Sequence, residues 1–176
     1  MDYSGHLVFT TRKESPKQCE KLLLHEDIFE LHPTVIRGMM MQKLNLNFEE
    51  DYLILGVDPG ERNGLSIFYY GIEIERSFHT SIEGLVFHII EILGGLRAKR
   101  KILKIGDGNM KIATQIVRML NLKFCSSFEL EFVDEQKTSL KIKNFNQRGK
   151  RDMLSAKYIS QREGYRHHIL PLSITG

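Results

Sequence analysis

Residues 52–70, YLILGVDPGERNGLSIFYY, contain the pattern that decides the fold class of this chain. The apolar run at 53–57 ends at the Asp-Pro-Gly sequence of residues 58–60, which is typical of a buried strand that leads into a turn. Residues 65–70 and 72–78 are rich in β-branched and aromatic side chains, and a glycine separates them. The region therefore predicts three consecutive antiparallel strands.

Downstream of this region, the hydrophobic pattern alternates between helix and strand. Apolar residues from 82 to 93 recur at helical spacing and are followed by Gly94-Gly95, a common helix stop. Further elements are predicted as a strand at 102–105, a helix at about 110–120, a strand at 129–133 and a last helix that begins at Asp152. The element order is therefore β-β-β-α-β-α-β-α, with crossover helices between the later strands.

This element order is that of the RNase H-like fold. We predict an α/β domain over residues 48–176, with a five-stranded mixed sheet in the order 3-2-1-4-5 and helices on both faces. Residues 1–47 carry apolar side chains at helical spacing, and Ser15-Pro16 and Pro33 are candidate helix starts. We therefore predict that they form a small, mostly helical N-terminal extension.

Composition bounds the class of protein. The chain has 176 residues, which is long enough to bury a core without disulfides or a structural metal. Hydrophobic residues make up 41% and charged residues 27%, the composition of a globular protein rather than of a disordered chain. Cys19 and Cys125 are far apart and have no Cys/His cluster, which argues against a disulfide framework or a cysteine zinc site. No signal-peptide pattern and no apolar run of roughly 20 residues is present, so a cytoplasmic location away from membranes is expected by elimination.

Carboxylates follow the predicted strands at equivalent positions. They are Asp58 after the first strand, Asp107 after the fourth, Asp134 or Glu135 after the fifth, and Asp152 at the start of the last helix. Phosphodiester cleavage with Mg²⁺ or Mn²⁺ requires hard oxygen ligands that converge from several strands. Each carboxylate alone also fits a turn, a helix cap or a solvated loop, but their joint occurrence favours a metal site.

Three segments resemble motifs of the RuvC resolvases and YqgF-type nucleases. The sequence LGVDPG at 55–60, followed by NGLSI at 63–67, resembles their opening motif. The sequence FVDEQKT at 132–138 resembles the YqgF motif in which Asp-Glu-Arg is followed by Thr, and DMLSA at 152–156 resembles the closing Asp-x-x-Ala-Ala helix. The resemblance covers about residues 52–164 and implies a metal-dependent endonuclease, a hydrolase that acts on structured nucleic acid.

The resemblance also implies roles for individual residues. It makes Asp58 a shared metal ligand, with Asp107, Glu135 and Asp152 completing the set around Mg²⁺ or Mn²⁺, and it selects Glu135 over Asp134. Gln136 replaces the usual Arg of the YqgF motif, and Ser155 replaces the second helix aspartate of RuvC. The substrate therefore stays open between a Holliday junction, whose resolvases act as symmetric homodimers, and precursor ribosomal RNA.

Basic residues are concentrated in two stretches that we expect near the carboxylates. They are Lys99, Arg100 and Lys101 in the first stretch, and Lys137, Lys141, Lys143, Arg148, Lys150 and Arg151 in the second. Such residues would neutralise the phosphates of branched DNA or structured RNA, although a solvated linker is an alternative for the second stretch. His167 and His168 have no partner cysteine or histidine nearby in sequence, and we interpret them as tail residues.

Two further function classes fit parts of the sequence. The first is a nucleic-acid-binding module that keeps the fold but has an incomplete or inactive metal site, as the departure at Gln136 suggests. The second is an actin-like ATPase, whose first phosphate loop is similar to the Asp-Pro-Gly sequence at 58–60. Only one copy of that pattern exists, and the GxxxxGK[ST] loop is missing, which disfavours the ATPase.

Overall fold

The computed structural model describes residues 7–14, 22–44, 51–123, 128–135 and 148–167. In chain order its elements are strands β1 (Leu7–Thr10) and β2 (Leu22–His25), a 3-10 helix (Glu26–Glu30), helix α1 (Pro33–Leu44), strands β3 (Tyr52–Asp58), β4 (Asn63–Tyr69) and β5 (Ile72–His79), helix α2 (Ile82–Gly95), strand β6 (Arg100–Gly106), helix α3 (Met110–Lys123), strand β7 (Glu129–Val133), helix α4 (Arg148–Gln161) and strand β8 (Tyr165–His167). None of these helices is long and apolar enough to cross a membrane.

The main sheet is mixed and has six strands in the order β5-β4-β3-β6-β7-β8. Strands β3, β4 and β5 are antiparallel neighbours, whereas β6 is parallel to both β3 and β7. The predicted α/β class and the order of the five predicted strands are therefore confirmed. The sequence missed β8, which pairs antiparallel with β7 and includes His167, because its three residues are all exposed and carry no hydrophobic alternation.

The N-terminal region is only partly helical. Strands β1 and β2 pair in parallel as a separate two-stranded sheet, so the prediction of a mostly helical extension is wrong for these two segments. An apolar run of this length suits either a helix or a buried strand, and pairing with β1 decides the outcome. The helix start at Pro33 is confirmed, while the candidate start at Ser15-Pro16 and the boundary at residue 47 lie outside the described residues.

Helices cover both faces of the main sheet, as predicted. Successive side chains of β3 point to opposite faces, and Leu55 and Val57 are fully buried in a core shared with Leu85 of α2. On the other face lies α4, which approaches β3 so closely that a Cβ at Gly56 would be 2.7 Å from the backbone nitrogen of Ser160. The described part of the N-terminal region packs on the α2 side through α1.

Glycines in the sheet bring α4 over the ends of the strands. A Cβ at Gly64 would lie 2.6 Å from the backbone carbonyl carbon of Asp152, a separation that real Cβ atoms essentially never show. Asp58 pairs with Gly64 across β3 and β4, so the carboxyl end of β3 lies beneath the same turn of α4. The glycine pattern therefore places Asp152 close to Asp58.

Candidate carboxylate site

The central strands end at one edge of the sheet, and acidic residues follow each end. Val57 pairs with Ile105, and Gly106 pairs with Val133. Asp58, Asp107 and Asp134 therefore lie within one residue of the same position along the strand direction. Because β3, β6 and β7 are parallel, their carboxyl ends meet at this edge. The sequence-based expectation that Asp58 and Asp107 lie on neighbouring strands is confirmed.

Hydrogen bonds join the exits of β6 and β7. The backbone N–H of Asp107 donates to the carbonyl oxygen of Val133 at 3.0 Å, and the backbone N–H of Glu135 donates to Asp107 Oδ1 at 3.0 Å. Asp107 does not cap α3, because Asn109 Oδ1 accepts the hydrogen bond from Ile112 N at 3.3 Å. The Asp107 side chain therefore positions the start of the loop that carries Glu135.

Two glycines form the space in which the Glu135 carboxylate lies. A Cβ at Gly106 would be 2.7 Å from Glu135 Cδ, and one at Gly108 would be 2.8 Å from it. Burial raises the pKa of Glu135, the backbone N–H of Gly108 lowers it by a hydrogen bond, and the charge of Asp107 raises it. Asp134 is exposed, whereas Glu135 is half-buried, so the two adjacent acids have different environments.

Asp58 is the carboxylate most affected by its surroundings. Its pKa is raised from 3.8 to about 7, first by burial and then by the negative charges of Glu135 and Asp152, while a hydrogen bond from Ser155 and the charge of Arg151 lower it. The prediction that Asp152 opens the last helix is wrong, because α4 begins four residues earlier at Arg148. The Arg-Gly-Lys-Arg sequence there has no apolar residue to mark a helix start.

The four carboxylates share one edge of the sheet without forming a compact ligand set. No three of them offer oxygen atoms that all lie within 4.8 Å of one another. Their chemistry nevertheless fits Mg²⁺ or Mn²⁺, because the donors are hard oxygens and because a divalent cation would stabilise the ionised Asp58, whose pKa is raised first by burial and then by the charges of Glu135 and Asp152. Binding would require side-chain rotation toward the cation.

The second basic stretch reaches the site, as far as the structure describes it. Arg148 is the first residue of α4, and the exposed Lys150 and Arg151 follow in its first turn. Arg151 is close enough to lower the pKa of Asp58. Three members of this stretch lie outside the described residues, namely Lys137, Lys141 and Lys143.

The first basic stretch is not near the carboxylates, and the expectation that it would be is wrong. Lys99, Arg100 and Lys101 lie at the amino end of β6, whereas Asp107 follows its carboxyl end. A strand of 7 residues at about 3.3 Å per residue separates the two ends by about 20 Å. Arg100 also pairs with Glu129, with Nε 2.7 Å from Oε1, so part of this charge is neutralised locally.

A second polar cluster, which the sequence did not reveal, lies on the other face of the sheet. It contains His32 before α1, Glu75 on β5 and His88 on α2. Burial raises the pKa of Glu75, but hydrogen bonds from His88, Ser77 and Thr34 outweigh burial and lower the pKa from its ordinary value of 4.5 to about 2. The cluster was missed because its members come from three separate elements and have no motif spacing.

Substitution of Gly106 tests the position of Glu135. A Cβ in Gly106→Ala would displace the Glu135 carboxylate and would also lie 2.8 Å from Ile159 Cδ1. Both are ends of side chains that can shift, so we expect the free energy of unfolding to fall by about 2 kcal/mol. If the carboxylate acts in cleavage, kcat/KM should fall about tenfold or more. In a Glu135→Ala background the same substitution should have no further effect on the rate, and an additive loss there would contradict this explanation.

The pKa of Asp58 predicts how stability depends on pH without divalent cations. Because the folded-state pKa is about 7 and the ordinary value 3.8, the folded state holds the proton more tightly, and stability falls as pH rises between these values. Asp58→Asn removes this loss. At pH 8.5 the variant should unfold with a free energy about 2 kcal/mol higher than the wild type, half of what the full difference in pKa gives, because Asp58 keeps some solvent contact.

Denaturant unfolding in EDTA at several pH values measures this difference. It should be small near pH 4 and reach its full size above pH 7, where the wild-type carboxylate is ionised. A difference that does not change with pH would contradict the assignment of the raised pKa to Asp58.

Comparisons with known proteins do not assign the chain to a family. No protein-family model, no curated protein and no solved structure matches it. The basis for a function is therefore the chemistry of the residues described above.

Proposed function

We propose that the chain is a metal-dependent nuclease with an RNase H-like fold, similar to the RuvC and YqgF groups, that cleaves phosphodiester bonds in structured nucleic acid. The observation that carries the proposal is the environment of Asp58. This carboxylate ends the central strand β3, and burial together with Glu135 and Asp152 raises its pKa to about 7. A half-buried group of acids at the strand ends supports a cation site better than it supports a structural role, because their negative charges are electrostatically unfavourable without a cation.

Each residue has a distinct role in this proposal. Asp58 is the central ligand, Asp107 and Glu135 supply oxygens from the β6 and β7 side, and Asp152 supplies one from α4. Bound Mg²⁺ or Mn²⁺ supplies Lewis acidity, activating water and stabilising the leaving oxygen. The exposed Lys150 and Arg151 would hold the substrate backbone beside the carboxylates.

The substrate is branched DNA or structured RNA, and direct cleavage assays distinguish the two. Labelled four-way DNA junctions and structured precursor RNA would be incubated with the protein in Mg²⁺ or Mn²⁺, with an EDTA control. Cleavage of one substrate that EDTA abolishes would establish the nuclease and its substrate class. For a junction resolvase we also expect a homodimer, because two opposed strands must be cut.

A non-catalytic nucleic-acid-binding module is the second candidate. It is favoured by the separation of the carboxylates, no three of which offer oxygens within 4.8 Å of one another. This alternative predicts binding that weakens with salt but is indifferent to Mg²⁺, and no cleavage of either substrate. Binding without cleavage in the same assay would therefore replace the nuclease by this module.

A further inference from the structure

The cluster of His32, Glu75 and His88 has the composition of a transition-metal site. Each residue offers one ligand atom, and these atoms all lie within 4.8 Å of one another. His88 Nε2 is 2.9 Å from Glu75 Oε1 and 3.0 Å from Oε2, and the rings of His32 and His88 have centroids 4.2 Å apart. Within the described part of the chain, it is the one group of three or more acids, histidines or cysteines whose ligand atoms lie this close together.

Surrounding side chains hold two of the ligands in place. The Ser77 hydroxyl donates to Glu75 Oε1 at 2.6 Å, and the Thr34 hydroxyl donates to the other carboxylate oxygen. His88 is only 5% exposed, and its Nδ1 lies 3.8 Å from the Glu91 carboxylate, which leaves Nε2 directed at Glu75. At 3.8 Å the Glu91 carboxylate is too far from Nδ1 for a hydrogen bond, but it lies on the side of the ring where metal sites usually place a carboxylate that fixes the ring orientation.

A third imidazole lies beside the cluster. The ring of His79 is centred 5.3 Å from that of His88. Its Nε2 is buried without a hydrogen-bond partner in the structure, which is uncommon for a buried polar atom. His79 therefore offers an additional nitrogen next to the three convergent residues.

This cluster is separate from the carboxylate site in both place and chemistry. Glu75 pairs with Ile67, whose buried side chain belongs to the core on the α2 face, whereas Asp58 contacts α4 on the opposite face. Imidazole nitrogens select Zn²⁺ and similar transition metals, while Mg²⁺ selects oxygen ligands. The cluster also joins three elements, since its residues come from the start of α1, from β5 and from α2.

We propose that His32, Glu75 and His88 bind one Zn²⁺ ion that fastens the start of α1 to the sheet. The ion takes the place of the hydrogen bond between His88 Nε2 and the Glu75 carboxylate, and a proton carried by Nε2 is released to solvent. It also ends the hydrogen bond of 3.2 Å from Thr34 N to His32 Nδ1. If Nδ1 binds the ion, its lone pair is used for the metal, and if Nε2 binds the ion, Nδ1 carries the ring proton and can only donate. This modest loss is offset by the metal–ligand bonds. The proposal does not depend on the nuclease activity.

Zinc binding would be measured on the full chain carrying Asp58→Asn, so that the carboxylate site is disabled. After EDTA treatment and its removal, competition with a chromophoric chelator should give a stoichiometry of about one Zn²⁺ per chain, and zinc should raise Tm. Co²⁺ in its place should give the visible absorption of a four-coordinate site with nitrogen ligands. Absence of zinc binding, with Tm unchanged by the metal, would show that the cluster is only a hydrogen-bonded core feature and would overturn the proposal.

The matched variant is His32→Asn, which removes the imidazole but keeps a good helix cap in front of Pro33. It should fold normally, and its affinity for zinc should be lower by a factor of about ten or more. His167→Asn, on the exposed strand β8, is the control and should bind zinc as the parent does. Equal zinc affinity in His32→Asn and the control would remove His32 from the site and overturn the proposed link to α1.

Discussion

Asp58→Asn is expected to abolish metal-dependent cleavage and to leave the chain folded. The carboxylate ends the central strand and lies close enough to Glu135 and Asp152 for their charges to raise its pKa. An amide has the same shape but carries no negative charge, so it holds a divalent cation much more weakly. We expect kcat to fall by at least about a hundredfold, the loss typical of removing one group that stabilises charge in the transition state.

Glu61→Gln is the matched control, because Glu61 is exposed in the turn only three residues after Asp58. It should cleave at the parental rate under the same conditions. Asp58→Asn should be more stable than the wild type in EDTA above pH 7. A measurement of its unfolding can therefore exclude loss of the fold as the cause of lost activity. Undiminished turnover of Asp58→Asn would remove Asp58 from the mechanism.

Periodicity predicted the central part of the fold because the side chains there are buried in regular patterns. The continuous apolar run of β3 reflects a strand covered on both faces, and the helical spacing of α2 reflects one apolar face against the core. The carboxylate site followed from the same information, since the ends of parallel strands meet at one edge. Asp58, Asp107 and either Asp134 or Glu135 could therefore be grouped before any contact was known, and the resemblance to the YqgF motif selected Glu135.

Other features were not predictable because they depend on contacts between distant segments. Strand β2 forms where an apolar run meets β1, and β8 forms from exposed residues that find a free edge beside β7. The stretch 99–101 looked close to the carboxylates in sequence, but a strand carries the chain across the sheet before Asp107. His32, Glu75 and His88 meet only in three dimensions, so no spacing could have indicated them.

The glycines show how a correct local interpretation can miss a tertiary role. Gly106-Asp107-Gly108 lies between the strand predicted at 102–105 and the helix predicted at about 110–120, a composition typical of a turn, and the chain does leave β6 there. Both glycines also leave room for the Glu135 carboxylate, which comes from a different strand. A turn explains why glycine is allowed at these positions, whereas the approach of Glu135 explains why a larger residue is not.

Gly56→Ala is expected to destabilise the protein by about 3 kcal/mol and to lower Tm by about 10 °C. A Cβ at this position would lie 2.7 Å from the backbone nitrogen of Ser160 and would also meet the carbonyl oxygen of Ala156. Both atoms belong to the backbone of α4, so a side-chain rotation cannot relieve the overlap, and the helix must move away from β3. Asp152 is carried by the same helix, so cleavage should fall as well.

Gly94→Ala makes the same chemical change in an exposed position near the end of α2. Alanine favours helix over glycine, so this control should be neutral or more stable by up to about 1 kcal/mol. Thermal and denaturant unfolding of the two variants therefore separates the general effect of a methyl group from the specific effect of the contact with α4. If Gly56→Ala kept the parental Tm, close packing of α4 on β3 would not be what positions Asp152 beside Asp58.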